Sequence, residues 1–211
     1  MTGQDDTSLT GPQLEAFRTA LDGGAAEASL ALSRWIHKTA TVSLDAVEQL
    51  PLHEATSVLG TRDEPICFCV AEVTGRLAGE LILAFDDASG LALADMLLDQ
   101  PRGTAAEWGE IETSAALETA NILYCAYLNS LSRAFGTDRE GASELLPSPP
   151  RFSRDFAESL IQCALMAQIA TSDRALLART QFHIDGAPVD WTLLLVPDVA
   201  SMSSLRELLQ V

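Results

Sequence analysis

Apolar residues recur at helical spacing in two long stretches of the chain. The first predicted helix covers residues 12–37 and the second covers residues 105–135. On a helical wheel, the predicted buried face of the second helix holds Ala116, Ala120, Leu123, Tyr127, Leu131 and Ala134. Its opposite face is polar and holds Glu107, Ser114, Glu118, Asn121, Asn129 and Ser132. Both stretches are therefore expected to be amphipathic helices packed on one side.

Local residues mark the start and the middle of the first predicted helix. Pro12 suits a first helical turn because proline has a fixed φ and no N–H. Gly23 and Gly24 lie in the interior, where each glycine costs about 1 kcal/mol relative to alanine. The helix therefore either bends at this point or lets another group approach its backbone closely.

Shorter elements occur twice in the same order. Candidate strands at residues 67–74 and 81–84 precede the segment 85–89 (FDDAS) and a short helical pattern. Candidate strands at residues 175–184 and 193–196 precede the related segment 197–201 (PDVAS) and another short helical pattern. The tripeptide Leu-Ser-Arg also recurs near the ends of the two long helices, at residues 32–34 and 131–133. This duplication predicts two structurally similar halves.

The order of these elements predicts the fold class. Each half, about 12–100 and 105–211, contains a long helix, a connecting segment, two strands and a short helix. We expect an α/β (α+β) layered fold with approximate two-fold symmetry, in which the long helices pack on a mixed or antiparallel sheet. The prediction is one domain over residues 1–211, with a polar tail at residues 1–10.

Charge and hydropathy exclude several kinds of partner. Thirteen basic residues face 30 acidic ones, for a formal net charge of −17. Because nucleic acids and anionic membranes are bound through clustered Lys and Arg, neither is expected as a partner. The acidic surface either serves solubility or attracts a basic protein surface. No apolar run approaches the roughly 18–20 residues that span a bilayer. Residues 1–10 also lack the features of a signal peptide, so a cytoplasmic protein without membrane insertion is expected.

The cysteines and histidines do not form a metal-binding pattern. Cys67 and Cys69 alternate along a predicted strand, so both should point to the same face, into the core. The histidines are scattered at positions 37, 53 and 183, and no C-x-x-C pair occurs. The protein is therefore expected to have no metal site of its own.

The polar face of the second helix carries the candidate chemistry. Glu118 and Asn121 are three residues apart, so their side chains project side by side. Asparagine is a poor residue for a helix interior because its amide competes for backbone hydrogen bonds. The pair is either part of an ordinary solvated face or a functional site.

The residues of this helix resemble a known family. The run from Ser114 to Ser132, which includes the sequences LETANIL and YLNSLS, resembles the second signature helix of the CheC-like family, the CheC-, CheX- and FliY-type phosphatases that act on CheY-phosphate. The family pattern is an acidic or hydroxyl residue, Glu four positions later, Asn three positions after that, and Pro beyond. Ser114, Glu118 and Asn121 match it, and the segment 145–150 (LLPSPP) is similar to the proline-rich segment, with its first proline at Pro147 slightly later than usual. Residues 195–198 (LVPD) also fit the family.

Many members carry the Glu/Asn pair on both long helices. Residues 24–33 resemble the first signature helix, and aligning the two Leu-Ser-Arg tripeptides places Thr19 opposite Glu118 and Asp22 opposite Asn121. Thr19 cannot hold a full charge and Asp22 has no amide donor. The first site is therefore expected to be degenerate and inactive.

The resemblance implies a function. A CheC-like protein dephosphorylates an aspartyl phosphate on a CheY-type response regulator. Asn121 would orient the attacking water, Glu118 would pair with a lysine of the regulator, and Ser114 would support the pair. No cofactor of its own is implied, because the Mg²⁺ belongs to the phosphorylated regulator.

Three other functions stay open at this point. The chain could be a non-catalytic or weakly catalytic adaptor that binds CheD, a regulated partner of CheC proteins, or the phosphorylated regulator. A flagellar switch component is less favoured, because such proteins normally carry a further C-terminal domain and this sequence ends at Val211. An unrelated metabolic enzyme is disfavoured by the lack of a phosphate-cradling glycine loop or a nucleophile elbow.

Overall fold

The computed structural model describes residues 8–55, 57–59, 64–136, 144–169, 174–186 and 191–209. The first half contains helix α1 (Gly11–Ile36), strand β1 (Ala40–Pro51), helix α2 (Leu52–Ala55), strands β2 (Ile66–Thr74) and β3 (Gly79–Phe85), and helix α3 (Asp87–Leu97). The second half contains helix α4 (Glu110–Ala134), strands β4 (Leu146–Pro147) and β5 (Arg151–Asp155), helix α5 (Ala157–Ile169), strands β6 (Arg174–Ile184) and β7 (Trp191–Pro197), a 3₁₀ turn (Val199–Ser201) and helix α6 (Met202–Leu208).

Seven strands form a single antiparallel sheet. The order is β1-β6-β7-β3-β2-β4, and β5 also pairs with β2. Side chains alternate between the two faces of the sheet, as the pleat requires. Cys67 and Cys69 pack with α1 and α4 on one face, whereas Ile66 and Phe68 pack with α5 on the other. The predicted fold class and the predicted burial of the two cysteines are therefore confirmed.

The two halves are related by a pseudo-two-fold axis at the centre of the sheet. In the β3–β7 ladder, Ile82 lies opposite Leu194. These two residues are 112 positions apart, the same separation as Asp86 and Asp198 in the duplicated segments. A residue that pairs with its own repeat counterpart lies on a two-fold axis, so the duplication predicted from sequence is present in the strand register.

The two long helices pack against each other in antiparallel orientation. The rings of Phe17, near the start of α1, and Phe135, just after α4, have centroids 6.4 Å apart. At the other end of the pair, the Trp35 indole N–H donates to the Thr119 hydroxyl at 2.9 Å. Between these contacts, a Cβ added to Gly24 would lie 3.2 Å from the Tyr127 ring. Gly24 therefore allows a close approach of Tyr127, which is one of the two alternatives that the glycines raised.

The start of the second long helix differs from the sequence prediction. It begins at Glu110 rather than near residue 105, because Gly109 is the N-cap and its N–H donates to the Glu112 carboxylate at 3.1 Å. Upstream, the buried Asp95 carboxylate accepts from the backbone N–H groups of Gly103, Thr104 and Ala105 at 2.6–3.1 Å. The residues before Gly109 are therefore held in a loop.

Two side chains at the end of the helix also differ from the helical wheel. Ala134 is exposed, whereas Ser132 is buried and accepts from the Leu145 N–H at 3.4 Å. Both residues lie in the last turn of α4, where contacts with the following chain decide burial.

None of the described helices is long and apolar enough to cross a bilayer.

Candidate functional site

Helix α4 presents the three predicted site residues on one stripe. Ser114, Glu118 and Asn121 are spaced by four and three residues, so they lie above one another along the helix surface. Ser114 and Glu118 are exposed, and Asn121 is half-buried. The Glu118 carboxylate forms no hydrogen bond or ion pair with any described residue. It is therefore available to an external group.

A groove runs beside this stripe. Its volume is about 600 Å³, and it is lined by Ser114, Leu117, Glu118, Asn121, Pro147, Pro149 and Pro150. We call it the α4 groove. One wall is helical and polar, and the other is the proline-rich segment that the family pattern requires. The structure thus brings the two sequence features of the resemblance to one place.

Backbone pairing holds the proline-rich segment against the sheet. Pro147 lies opposite Val73 in the β2–β4 ladder. The Ser148 N–H donates to the Glu72 carbonyl at 2.8 Å, and the Ser148 hydroxyl accepts from the Glu72 N–H at 3.0 Å. Prolines have a fixed φ and no N–H, so this wall of the groove is stiff and offers only carbonyl oxygens and apolar rings.

Cys125 extends the stripe by one turn and contacts the Asn121 amide. The Cys125 thiol donates to Asn121 Oδ1 at 3.9 Å, which is long even for sulfur. Burial raises the pKa of Cys125, and the nearby Glu118 charge adds to the effect. The thiol therefore stays protonated near neutral pH, and the contact leaves the amide nitrogen of Asn121 without a partner among the described residues.

Buried polar contacts fix the rotation of α4 about its axis. Thr119, which is fully buried, donates to the Ala115 carbonyl at 2.8 Å and accepts the Trp35 indole N–H. The Tyr124 hydroxyl accepts from the Leu83 N–H at 2.9 Å and donates to the Cys69 carbonyl. Because these side chains lock one face of α4 to α1 and to the sheet, the Ser114–Glu118–Asn121 stripe faces outward.

An ionic cluster that was not predicted from the sequence connects β5, the strand after the prolines, to the start of α3. The Asp87 carboxylate accepts from Arg154 Nε at 3.0 Å and Nη2 at 2.6 Å, from the Trp108 indole N–H at 2.8 Å and from the Cys67 thiol at 3.2 Å. The Arg154 guanidinium holds the pKa of Asp87 below its ordinary value, with help from Trp108 and Cys67 against partial burial. The sequence holds one hint of this cluster, a difference between the two copies of the repeat. Asp87 in the first copy corresponds to Val199 in the second.

Thr19 and Asp22 occupy the symmetry-related stripe on α1. Gly11 and Glu110, the first residues of α1 and α4, are 99 positions apart, so the alignment of Thr19 with Glu118 also aligns the helix starts. Both side chains are exposed, and the Thr19 hydroxyl donates to the Glu15 carbonyl at 3.0 Å. The antiparallel packing puts this stripe at the opposite end of the helix pair. The two candidate sites are therefore separate.

A metal centre is not apparent in the part of the chain that the structure describes. There, no three His, Cys, Asp or Glu side chains are grouped closely enough to hold an ion. The polar side chains that line the α4 groove are the Glu118 carboxylate, the Asn121 amide and the Ser114 hydroxyl.

This architecture is the CheC-like fold of chemotaxis and flagellar switch proteins. FliY from Thermotoga maritima matches with a TM-score of 0.74 at 16% identity, over 95% of this chain and 97% of that chain. The FliM middle domain from H. pylori matches with a TM-score of 0.63 at 16% identity, over 95% and 99% of the two chains. The chemotaxis protein CheX from Desulfovibrio desulfuricans matches with a TM-score of 0.54 at 10% identity, over 85% and 99%.

These likenesses confirm the resemblance at the level of the fold. No protein-family model and no curated protein matches the chain. At 10–16% identity, the likeness to these solved structures shows the fold alone. The function must be argued from the residues of the site.

Proposed function

We propose that this chain dephosphorylates an aspartyl phosphate on a CheY-type response regulator, with one active site in the α4 groove. The observation that carries the proposal is the position of Glu118 and Asn121. Both side chains face a stiff proline wall across an open groove, on a fold shared with FliY and CheX. The groove is wide and shallow, as suits a site that receives the surface of another protein.

The reaction needs little beyond positioning. In the hydrolysis, a water oxygen attacks phosphorus in line, the bond from phosphorus to the aspartate oxygen breaks, and free aspartate and inorganic phosphate result. An acyl phosphate is already labile, so placing the water supplies most of the catalysis. The Asn121 amide both donates and accepts hydrogen bonds, and it can hold a water without acting as a base.

Glu118 would align the two proteins. Its carboxylate has no partner within the described residues, and a lysine in the regulator's site would provide one. Ser114 lies one turn before Glu118 and would support the carboxylate through a hydrogen bond once the complex forms. The divalent cation would arrive with the phosphorylated regulator, and Thr19 and Asp22 would take no part.

The test is the decay of a phosphorylated CheY-type regulator at constant Mg²⁺, alone and with the protein. Acceleration is expected from the wild type, and Asn121→Ala should reduce it by roughly 10²–10⁴-fold, the range for one placed catalytic group. Asn129→Ala is the matched control, because Asn129 is an exposed asparagine on the same helix outside the groove. Equal loss in both variants, or none in Asn121→Ala, would contradict the proposed mechanism.

A second candidate is a binding module without turnover, as part of a flagellar switch or as an adaptor for CheD. The observation in its favour is that the TM-score with the FliM middle domain, 0.63, exceeds that with CheX, 0.54. H. pylori FliM forms a complex with FliG. If several phosphorylated regulators, with CheD added, decay no faster with the wild-type protein, this candidate replaces the phosphatase. Sedimentation with purified FliG or CheD would then identify the partner.

A further inference from the structure

Aliphatic side chains lie next to the polar stripe on the outer side of α4. Ile111, Ala115 and Ile122 are spaced by four and seven residues, so they share one side of the helix. Ile111 is 60% exposed, and Ala115 and Ile122 are half-buried. We call these three residues the α4 aliphatic stripe. Glu118 lies at its border, three residues after Ala115 and four before Ile122.

The Glu118/Asn121 pair therefore lies between two apolar surfaces. On one side are Leu117 and the rings of the proline-rich segment, which line the α4 groove. On the other side is the α4 aliphatic stripe, where Ile111 is roughly 10 Å from Glu118 along the helix at 1.5 Å per residue. A standard interface covers about 800 Å² on each partner, a disc with a radius of roughly 16 Å. A partner centred on Glu118 therefore covers the stripe as well as the groove.

The internal repeat links the two isoleucines to the Glu/Asn pair. The alignment of the two helix starts places Pro12 opposite Ile111 and Gly23 opposite Ile122. Helix α1 thus lacks both the pair and the isoleucines, whereas α4 has both. A requirement of the duplicated fold would act on both halves, and a side chain as exposed as Ile111 adds little to the core. The isoleucines therefore accompany the site.

The charge at the centre of this surface selects the kind of occupant. Burial of a carboxylate is costly unless a cation meets it, and Glu118 has no ion-pair partner among the residues that the structure describes. In a symmetric dimer the same patch of each copy meets the other, so two Glu118 carboxylates would approach without a counter-charge. The net charge of −17 also opposes self-association. The surface therefore fits a different protein, with a basic side chain among apolar ones.

We propose that the α4 aliphatic stripe is a docking surface for the response regulator and that Ile111 is its specificity-determining residue. The identity of the partner rests on the proposed function. The regulator places its site lysine against Glu118 and a neighbouring apolar side chain against Ile111. A regulator with a charged side chain at that point docks poorly, because the charge would be buried without a partner. Ile111 thus discriminates among regulators that share the same aspartate and lysine.

The experiment measures binding separately from turnover. Binding is followed by calorimetry with a purified CheY-type regulator in Mg²⁺ and beryllium fluoride, which mimics the aspartyl phosphate without being hydrolysed. Ile111→Val should weaken binding by roughly 2- to 4-fold and Ile111→Ala by roughly 10- to 50-fold, according to the number of buried carbon atoms lost. Leu30→Ala is the matched control, because Leu30 is 56% exposed on α1, outside this surface. It should leave the affinity unchanged.

Two further readouts separate an apolar docking contact from other roles. In the decay assay, Ile111→Ala should raise the KM for phosphorylated regulator by a similar factor and leave kcat unchanged, because only uniform binding is lost. The loss of affinity in Ile111→Ala should also be the same at low and high salt, since screening acts on charges. A loss that disappears at high salt would overturn the apolar contact.

Other outcomes would also overturn the proposal. Equal affinity of the wild type and Ile111→Ala would restrict docking to the α4 groove. No binding by any regulator tested, or a wild-type dimer that Ile111→Ala dissociates in sedimentation, would give the surface another occupant. Binding that Ile111→Ala weakens, without any acceleration of decay by the wild type, would support the docking surface and contradict the phosphatase. The two failures are therefore distinguishable.

Discussion

Tyr124→Phe should destabilise the protein far more than the loss of one oxygen atom suggests. Tyr124 is fully buried, and its hydroxyl lies between Cys69 and Leu83, two residues that oppose each other in the β2–β3 ladder. It accepts from the Leu83 N–H and donates to the Cys69 carbonyl. Phenylalanine keeps the ring and removes both contacts, so two buried backbone groups lose a partner.

The expected magnitude follows from these contacts. A buried donor or acceptor left unsatisfied costs about 1–3 kcal/mol, so the two together should lower the free energy of unfolding by about 2–6 kcal/mol. For a chain of this length, a loss of 3 kcal/mol corresponds to a fall in Tm of roughly 6–12 °C. The burial that surrounds the hydroxyl also raises the pKa of Tyr124 well above its ordinary value, so the loss should not vary between pH 6 and 9.

The assay is urea unfolding followed by tryptophan fluorescence, with Tyr127→Phe as the matched control. Tyr127 is also buried on α4, but among the residues that the structure describes its hydroxyl bonds only to the Thr180 hydroxyl, at 3.2 Å. That variant should lose about 1 kcal/mol. Hydrogen exchange at the Leu83 amide should accelerate in Tyr124→Phe and stay unchanged in the control. Equal stability of the two variants would refute the view that Tyr124 ties α4 to the sheet.

Three further results are expected. Glu118→Gln should raise the KM for phosphorylated regulator and flatten its salt dependence while changing kcat little, because a docking charge acts on encounter; a large fall in kcat alone would give Glu118 another role. Asp87→Asn should be less stable than wild type at pH 7. Since the folded pKa of Asp87 is lowered, the difference is present above the ordinary carboxyl range and should vanish as pH falls through and below about 4, measured as Tm against pH; a constant difference would contradict this. Gly24→Leu should cost about 1–3 kcal/mol by overpacking against Tyr127, and an unchanged urea midpoint would show that Tyr127 moves aside.

The sequence alone determined the elements that depend on local chemistry. The two long helices, the four central strands and the duplicated segments follow from spacing, turn residues and repetition over short distances. The Glu118/Asn121 pair could also be placed on the outer face of its helix, because both residues lie within one turn. The alignment of Thr19 with Glu118 likewise needed only the shared Leu-Ser-Arg tripeptide.

Long-range pairing was beyond the sequence. Strand β1 was predicted only as a connecting segment, and it forms an edge of the sheet by pairing with β6, far along the chain. The position of the Pro147–Pro150 segment across the groove from Glu118 could not be predicted from neighbouring residues. It depends on pairing with β2, which is distant in sequence. The same holds for Asp87, whose partners Cys67, Trp108 and Arg154 are 20 to 67 residues away.

The difference between the two ends of the helix pair was likewise decided in three dimensions. Trp35 and Ala134 are unremarkable residues in their own helices, and each sits near a helix end. Only the antiparallel packing of α1 on α4 turns one into a filled contact with Thr119 and the other into an open groove beside Ser130. Local periodicity defines which face of a helix is buried, whereas the register between helices defines what each residue meets there.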